Sequence, residues 1–316
     1  MSQAPGRPRV IYIMGSGRSG TTLLGSILGE YTGAFGAGEI SYIWERGILQ
    51  PRGCGCGREP LECPVWGRVI ERLAEGQDPR LLAEAQLERR HWIRLRHTGA
   101  LLRMGRISPS SSIAERLPRS HAARVAYGRA LMRLYGLLVE VTGRGTIIDT
   151  SKHPADAALL GQLDGIESTF VHVVRDARGV THSWRRKKEG IARRKTILAA
   201  LDWVVTNRAA DAVRARHPRA SMMLRYEDLM LAPVEHATRI ARLAGLPPEP
   251  TPFADATTVR LGTNHTVSGN PDRFTSGLTA IQMDDRWHRA MPASLRSLVT
   301  GLTAIDLRRY GYALRG

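Results

Sequence analysis

VIYIMGSGRSGTTLLGSILG, residues 10–29, opens with five apolar residues, turns through three glycines and continues as an apolar helix. Gly15, Gly17 and Gly20 admit the tight or left-handed backbone that brings a main chain close to a ligand. The first amides of the following helix face that ligand unpaired, which makes the turn a ready anion site. Arg18, Ser19, Thr21 and Thr22 add one positive charge and three hydroxyls. The stretch therefore reads as a strand, a phosphate cradle and a helix. An ATP- or GTP-binding loop has the form G-x-x-x-x-G-K-[ST], in which the Lys reaches the β- and γ-phosphates. The spacing from Gly15 to Gly20 fits that form, but Thr21 occupies the Lys position.

Working outward, TFVHVVRDARGVTHSWRRKK at 169–188 is a second apolar strand, with Arg175 at its carboxyl end and Ser183 two helical turns later. A guanidinium and a hydroxyl so spaced converge on one anion, the former by bidentate bonds. LRYEDLMLAPVEHATRIARLAGL at 224–246 is again a strand, then Tyr226 and an amphipathic helix ending at Gly245. Strand candidates at 9–14, 145–149, 168–174 and 221–225 each precede a helical pattern. That alternation predicts an α/β fold, a parallel sheet with helices on both faces and right-handed crossovers. Ligand then lies beyond the carboxyl ends of the strands. The long segment 40–144, between the first and second of these strands, predicts a mainly helical insertion with helices near 80–105 and 119–142. Leu82, Leu95 and Leu101 fall at helical spacing and are expected in the core. The whole of 1–316 reads as one domain.

The 46 Lys and Arg residues exceed the 29 Asp and Glu, a formal charge of +17. Such a chain attracts anions. The arginines are scattered, however, with RRKK at 185–188 and RRK at 193–195 as the dense clusters, and no aromatic stacking series accompanies them. Nucleic acid is therefore not expected as a partner. No apolar run reaches the ~18 residues of a membrane span, and the first strand leaves no room for a secretion signal, so a cytoplasmic location is expected. Only four of the basic residues are lysines, which singles out Lys152 in IIDTSKHP. The three cysteines lie together in CGCGREPLECPVW as Cys54, Cys56 and Cys63. They can be reduced structural thiols, one disulfide with a free thiol, or three ligands of a zinc ion whose fourth comes from elsewhere.

Taken in order, the turn at 15–22, the Arg175/Ser183 segment and the Tyr226 segment resemble the sulfotransferases that use 3′-phosphoadenosine 5′-phosphosulfate (PAPS). The resemblance implies a P-loop-like sulfotransferase fold and transfer of a sulfuryl group to an acceptor hydroxyl, with adenosine 3′,5′-bisphosphate (PAP) as product and no metal required. It assigns Gly17, Arg18, Ser19, Gly20, Thr21 and Thr22 to the 5′-phosphosulfate, and Arg175, Ser183 and Tyr226 to the 3′-phosphate. Glu39, in a Gly-Glu pair twenty-one positions after Arg18, is similar to the general base of tyrosylprotein and carbohydrate sulfotransferases, with His153 as the alternative base. Lys152 matches the family's Lys toward the sulfuryl or bridging oxygen. In the turn-rich NHTVSGNPDRF at 264–274, Ser268 is expected at the sulfuryl group and Arg273 at the 3′-phosphate. The acceptor is a hydroxyl on a small molecule, sugar, phenol, lipid or natural product, selected by the insertion. The competing readings are a P-loop kinase or other phosphoryl transferase, against which the missing Lys counts, and a non-catalytic polyanion-binding protein.

Overall fold

The computed structural model describes residues 7–109, 118–186 and 194–314. Lys187, Lys188 and Arg193 of the two basic clusters lie outside the described residues. In chain order the elements begin with β1 (Arg9–Met14), α1 (Thr21–Gly29) and β2 (Ala34–Gly38), then a 3₁₀ turn at Ile40–Tyr42 and a π-helical segment at Ile43–Leu49. The insertion follows with α2 (Trp66–Ala74), α3 (Pro79–Arg90), α4 (Thr98–Leu102) and α5 (Arg119–Thr142). The chain then alternates through β3 (Thr146–Lys152), α6 (Pro154–Leu160), β4 (Glu167–Val174), α7 (Ala177–Arg185), α8 (Thr196–Arg216) and β5 (Ser221–Arg225). It continues with α9 (Tyr226–Leu231), α10 (Pro233–Leu243), the hairpin of β6 (Thr258–Leu261) and β7 (Gly277–Ala280), α11 (Trp287–Ala290) and α12 (Ala293–Arg309).

Five strands form one parallel sheet in the order β2-β3-β1-β4-β5. Its centre, β1, is buried on both faces, as a strand in a helix-covered parallel sheet must be. Val10, Tyr12 and Met14 face a core built with α5, α6 and the insertion, while Ile11 and Ile13 face α1, α9 and α10. A third cluster joins α7, α8 and α12 around Trp203 and Trp287. The α/β sheet with helices on both faces is thus as the alternating pattern predicted.

Three features differ from the sequence reading. The strand β2 is an added edge strand, so the insertion separates the second and third strands of the chain. Its sequence, AFGAG, has no run of β-branched residues, and it is held by pairing with β3. The single helix expected near 80–105 is instead α3 and α4, broken where the Arg90 side chain turns inward to Asp156 (2.8 Å) and Ile93 is buried. Accordingly Leu101 is in the core, whereas Leu82 is half-buried at its edge and Leu95 is only partly covered.

Two contacts align the site edge. Helix α1 lies so close to β3 that a Cβ at Gly25 would stand 2.3 Å from Thr150 Cγ2. At the end of β3, the buried Asp149 accepts hydrogen bonds from the Tyr135 hydroxyl (2.6 Å), the Ser151 amide (2.8 Å) and the Ser151 hydroxyl (2.5 Å). The Ser151 oxygen in turn accepts from the Ser41 amide at 2.9 Å, tying β3 to the turn that follows β2. Burial pushes the Asp149 carboxyl up to about 6, against the pull of its donors.

Gly25→Ala should therefore destabilise the protein by about 1–3 kcal/mol, seen as a lower thermal midpoint. Gly136→Ala, on α5 where a Cβ meets open space, should leave that midpoint unchanged or raise it. Between the ordinary carboxyl pKa and about 6 the folded chain holds a proton on Asp149 that the unfolded chain has released. The stabilisation from this group is complete below the unfolded pKa and is lost as pH rises through about 6. Urea unfolding at pH 4 and 7 should show the wild type losing about 2–3 kcal/mol relative to Asp149→Asn over that interval.

Candidate active site

The sequence-predicted residues gather at the carboxyl edge of the sheet, in two groups joined by the turn after β1. The Gly15 amide donates to the Lys152 carbonyl at 3.1 Å, which locks that turn to the end of β3. Within the turn Arg18 adopts φ 72° and Gly20 φ 83°. A Cβ at Gly20 would lie 2.6 Å from the Tyr226 ring, so glycine is required there both by conformation and by space. Gly20 is the N-cap of α1 and, being glycine, brings no side-chain bond to the helix's first amides. Ser19 is fully buried, and its hydroxyl has no hydrogen-bond partner among the described residues. Thr21 is buried and Thr22 half-buried at the first turn of α1.

The first group surrounds Arg175 at the end of β4. One guanidinium nitrogen donates to the Arg18 carbonyl at 3.1 Å, and Arg18 Nε donates to Ser183 Oγ at 3.0 Å. Turn, strand end and α7 are thereby linked through three of the predicted residues. The other guanidinium nitrogen donates to the Asp284 carbonyl and lies 3.5 Å from its carboxylate. Tyr226 packs its ring 4.3 Å from the Arg175 guanidinium and accepts a hydrogen bond from the Asp284 amide at 2.9 Å. Arg286, and then Arg175, hold the Asp284 carboxyl well below the usual carboxylate range.

The second group is built on Glu39, just past β2, and Lys152, the last residue of β3. Their side chains form an ion pair, and Lys152 Nζ also donates to the Thr150 carbonyl at 3.2 Å. The two side chains are only 9% and 17% exposed, so water screens the pair weakly. Lys152 holds φ 73°, a left-handed backbone that turns its side chain away from the strand direction. Ser268, with φ 59°, accepts a hydrogen bond from Arg46 Nη1 at 3.0 Å. The neighbouring Gly269 would place a Cβ 3.4 Å from Glu39 Oε1. Hence Ser268 shares the Glu39 side of the site. His153 pairs its Nε2 with the Tyr42 hydroxyl at 3.2 Å, and burial lowers its pKa.

Arg273 belongs to this second group. Its guanidinium donates to the carbonyls of Gly269 (3.0 Å) and Arg52 (2.9 Å), and Gly269 in turn stands beside Glu39. Among the described residues its hydrogen bonds run to this side of the site and not to Arg175 or Ser183. Sequence reading missed Arg46, Asp284 and Trp184, whose ring lies 2.9 Å from where a Cβ at Gly17 would stand. Nothing local distinguishes Asp284, which meets Arg175 across 109 residues of chain.

Among solved structures, the sulfotransferase domain from the curacin biosynthetic pathway aligns over 99% of both chains, with 17% identity and a TM-score of 0.51. The sulfotransferase domain from the Synechococcus PCC 7002 olefin synthase aligns over 96% of both chains at 18% identity and a TM-score of 0.46. A sulfotransferase from Alicyclobacillus acidocaldarius aligns over 97% of this chain and 94% of its own at 13% identity and a TM-score of 0.41. The first of these bears on the fold, which it shares. A search of curated protein sequences finds no significant match. The model of the family described as "Sulfotransferase family" matches residues 8–250. That range holds the turn at 15–22, Glu39, Lys152, Arg175, Ser183 and Tyr226, and excludes Ser268 and Arg273. A match over well over half of the sequence, on a fold and site edge that agree with it, places the chain in the sulfotransferase family.

Proposed function

We propose that the protein transfers the sulfuryl group of PAPS to an acceptor hydroxyl, giving a sulfate ester and PAP. The observation that carries this reading is the buried, unpartnered Ser19 hydroxyl in a turn that opens onto an uncapped helix N-terminus. A buried donor without a partner costs about 1–3 kcal/mol, which an anion in the turn would recover. Arg18, Ser183 and Arg175 are linked to that same turn, and give it a second anion-binding end suited to a 3′-phosphate.

Glu39 accepts the acceptor's hydroxyl proton as the oxygen attacks sulfur. The new S–O bond forms as the bond from sulfur to the bridging phosphate oxygen breaks, and the electron pair leaves on the 5′-phosphate. In this reading the acceptor parts Glu39 from Lys152, freeing the ammonium for the sulfuryl or bridging oxygen. There it gains as negative charge grows, so it stabilises the transition state more than the ground state. In this reading Ser268, held by Arg46 on the Glu39 side, contacts the sulfuryl group. None of these steps calls on a metal ion. The acceptor is a small-molecule, sugar, phenol, lipid or natural-product hydroxyl, reached from the side of the insertion, in the cytoplasm.

Calorimetry at matched ionic strength should show selective binding of PAP over ATP with Mg²⁺, and preference for ATP would return the turn to the phosphoryl-transfer class. Arg175→Ala should weaken PAP binding by roughly tenfold or more, since a charge-assisted bond contributes ~1.5–3 kcal/mol. With an acceptor in hand, Glu39→Ala and Lys152→Ala should each lower kcat by about 10²–10⁴ while leaving PAP affinity close to wild type. Unchanged turnover in either variant would overturn its assigned role.

A further inference from the structure

The three cysteines meet a fourth ligand that only the fold reveals. Cys54, Cys56, Cys63 and His265 bring their sulfur and ring-nitrogen atoms within 4.8 Å of one another. Cys63 Sγ lies 3.1 Å from His265 Nδ1 and 3.6 Å from Cys54 Sγ, and Cys54 Sγ lies 3.9 Å from the same nitrogen. His265 is 202 residues beyond Cys63 in the chain, so this is a tertiary meeting. Ligands at the usual tetrahedral Zn–S and Zn–N distances stand about 3.5–3.8 Å from one another. The observed separations bracket that spacing.

We propose that Cys54, Cys56, Cys63 and His265 bind one zinc ion, which clamps the strap carrying Ser268 onto the insertion. Four protein ligands close the coordination sphere, so the ion is structural and offers no open position for a substrate. All three cysteines are free thiols, and Cys54 and Cys63 are buried. Binding converts the three thiols to thiolates and releases their protons to solvent, with no change of oxidation state. One thiolate has a donor in place: the Trp66 amide points at Cys63 Sγ (3.5 Å). The Trp66 indole N–H donates to the His265 carbonyl at 2.5 Å, and Phe35 stacks on the imidazole at 6.2 Å, which together fix the ring.

The strap is what the ion would hold. Immediately after His265, the Thr266 carbonyl accepts from the Gly55 amide (3.0 Å) and the Val267 carbonyl accepts from the Glu39 amide (3.2 Å). Ser268 follows, under Arg46. Three ligands from the 54–63 loop and one from the strap thus join two distant pieces of chain beside Glu39. Zinc thereby enters as architecture for the acceptor side, apart from the transfer chemistry, and its binding is independent of whether PAPS is the donor.

The full chain, purified without a histidine tag and dialysed, should contain about one zinc ion per chain by plasma mass spectrometry. Replacement by Co²⁺ should give the d–d and thiolate charge-transfer bands of a tetrahedral sulfur-rich site. Cys56→Ser, at the half-exposed ligand, should lose zinc to a chelator at least tenfold more readily while keeping the wild-type circular dichroism. His265→Cys should retain the metal, which separates ligation from packing. A folded wild type with less than about a tenth of an equivalent of zinc and three thiols freely reactive toward a disulfide reagent would overturn the proposal. So would a Cys54–Cys63 disulfide found by mass spectrometry without reduction.

Discussion

Burial of β1 on both faces is the constraint from which the rest of the molecule follows. Every residue from Val10 to Met14 is committed to one core or the other. A strand so used has no side chain left for chemistry along its length, and the same holds for most of β3 and β4. Functional groups are displaced to the points where the strands end, and the register of the sheet decides which ends are neighbours. The turn after β1 stands between Lys152 on one side and Arg175 on the other because β1 pairs with β3 and with β4. The Arg175 group and the Glu39–Lys152 group are thus set apart by little more than the spacing of strands, about 5 Å each.

The positive charge is divided in a way that composition does not suggest. Arg90, Arg178 and Arg208 are matched with Asp156, Asp176 and Asp306, while Asp211 meets both Arg214 and Arg309. Several of these carboxylates are buried, and removing one partner of such a pair is costly even where the pair itself adds little. A good part of the arginine content is therefore structural. At the site, Arg175 is held by two main-chain carbonyls, a ring and the Asp284 carboxylate, and Lys152 by the Glu39 carboxylate and the Thr150 carbonyl.

Legibility in the sequence followed chain distance. The strand, turn and helix at 10–29 are adjacent and carry their own signals in apolar runs and glycines, as do Arg175 and Ser183 two turns apart. Lys152 stood out by rarity, and Glu39 by its resemblance to a known Gly-Glu pair. The edge strand β2 left no pattern because AFGAG owes its conformation to β3. Asp284, Arg46 and His265 were silent for another reason: each acquires its meaning from a partner more than a hundred residues away. Arg273 shows what position alone leaves out, since its carbonyl partners at Gly269 and Arg52, which hold it on the Glu39 side, come from separate parts of the chain.

Three of the non-glycine residues with left-handed backbone are Arg18, Lys152 and Ser268. For an ordinary side chain that conformation costs of order 1–3 kcal/mol. Glycine would relieve it at each place and would remove a side chain the site is read as using. Selection for thermal tolerance alone would thus tend to erode this edge of the protein, one residue at a time, while leaving the fold more robust. An arginine, a lysine and a serine hold that conformation where glycine would be easier, so backbone strain by itself singles out this edge of the sheet, without any bound molecule.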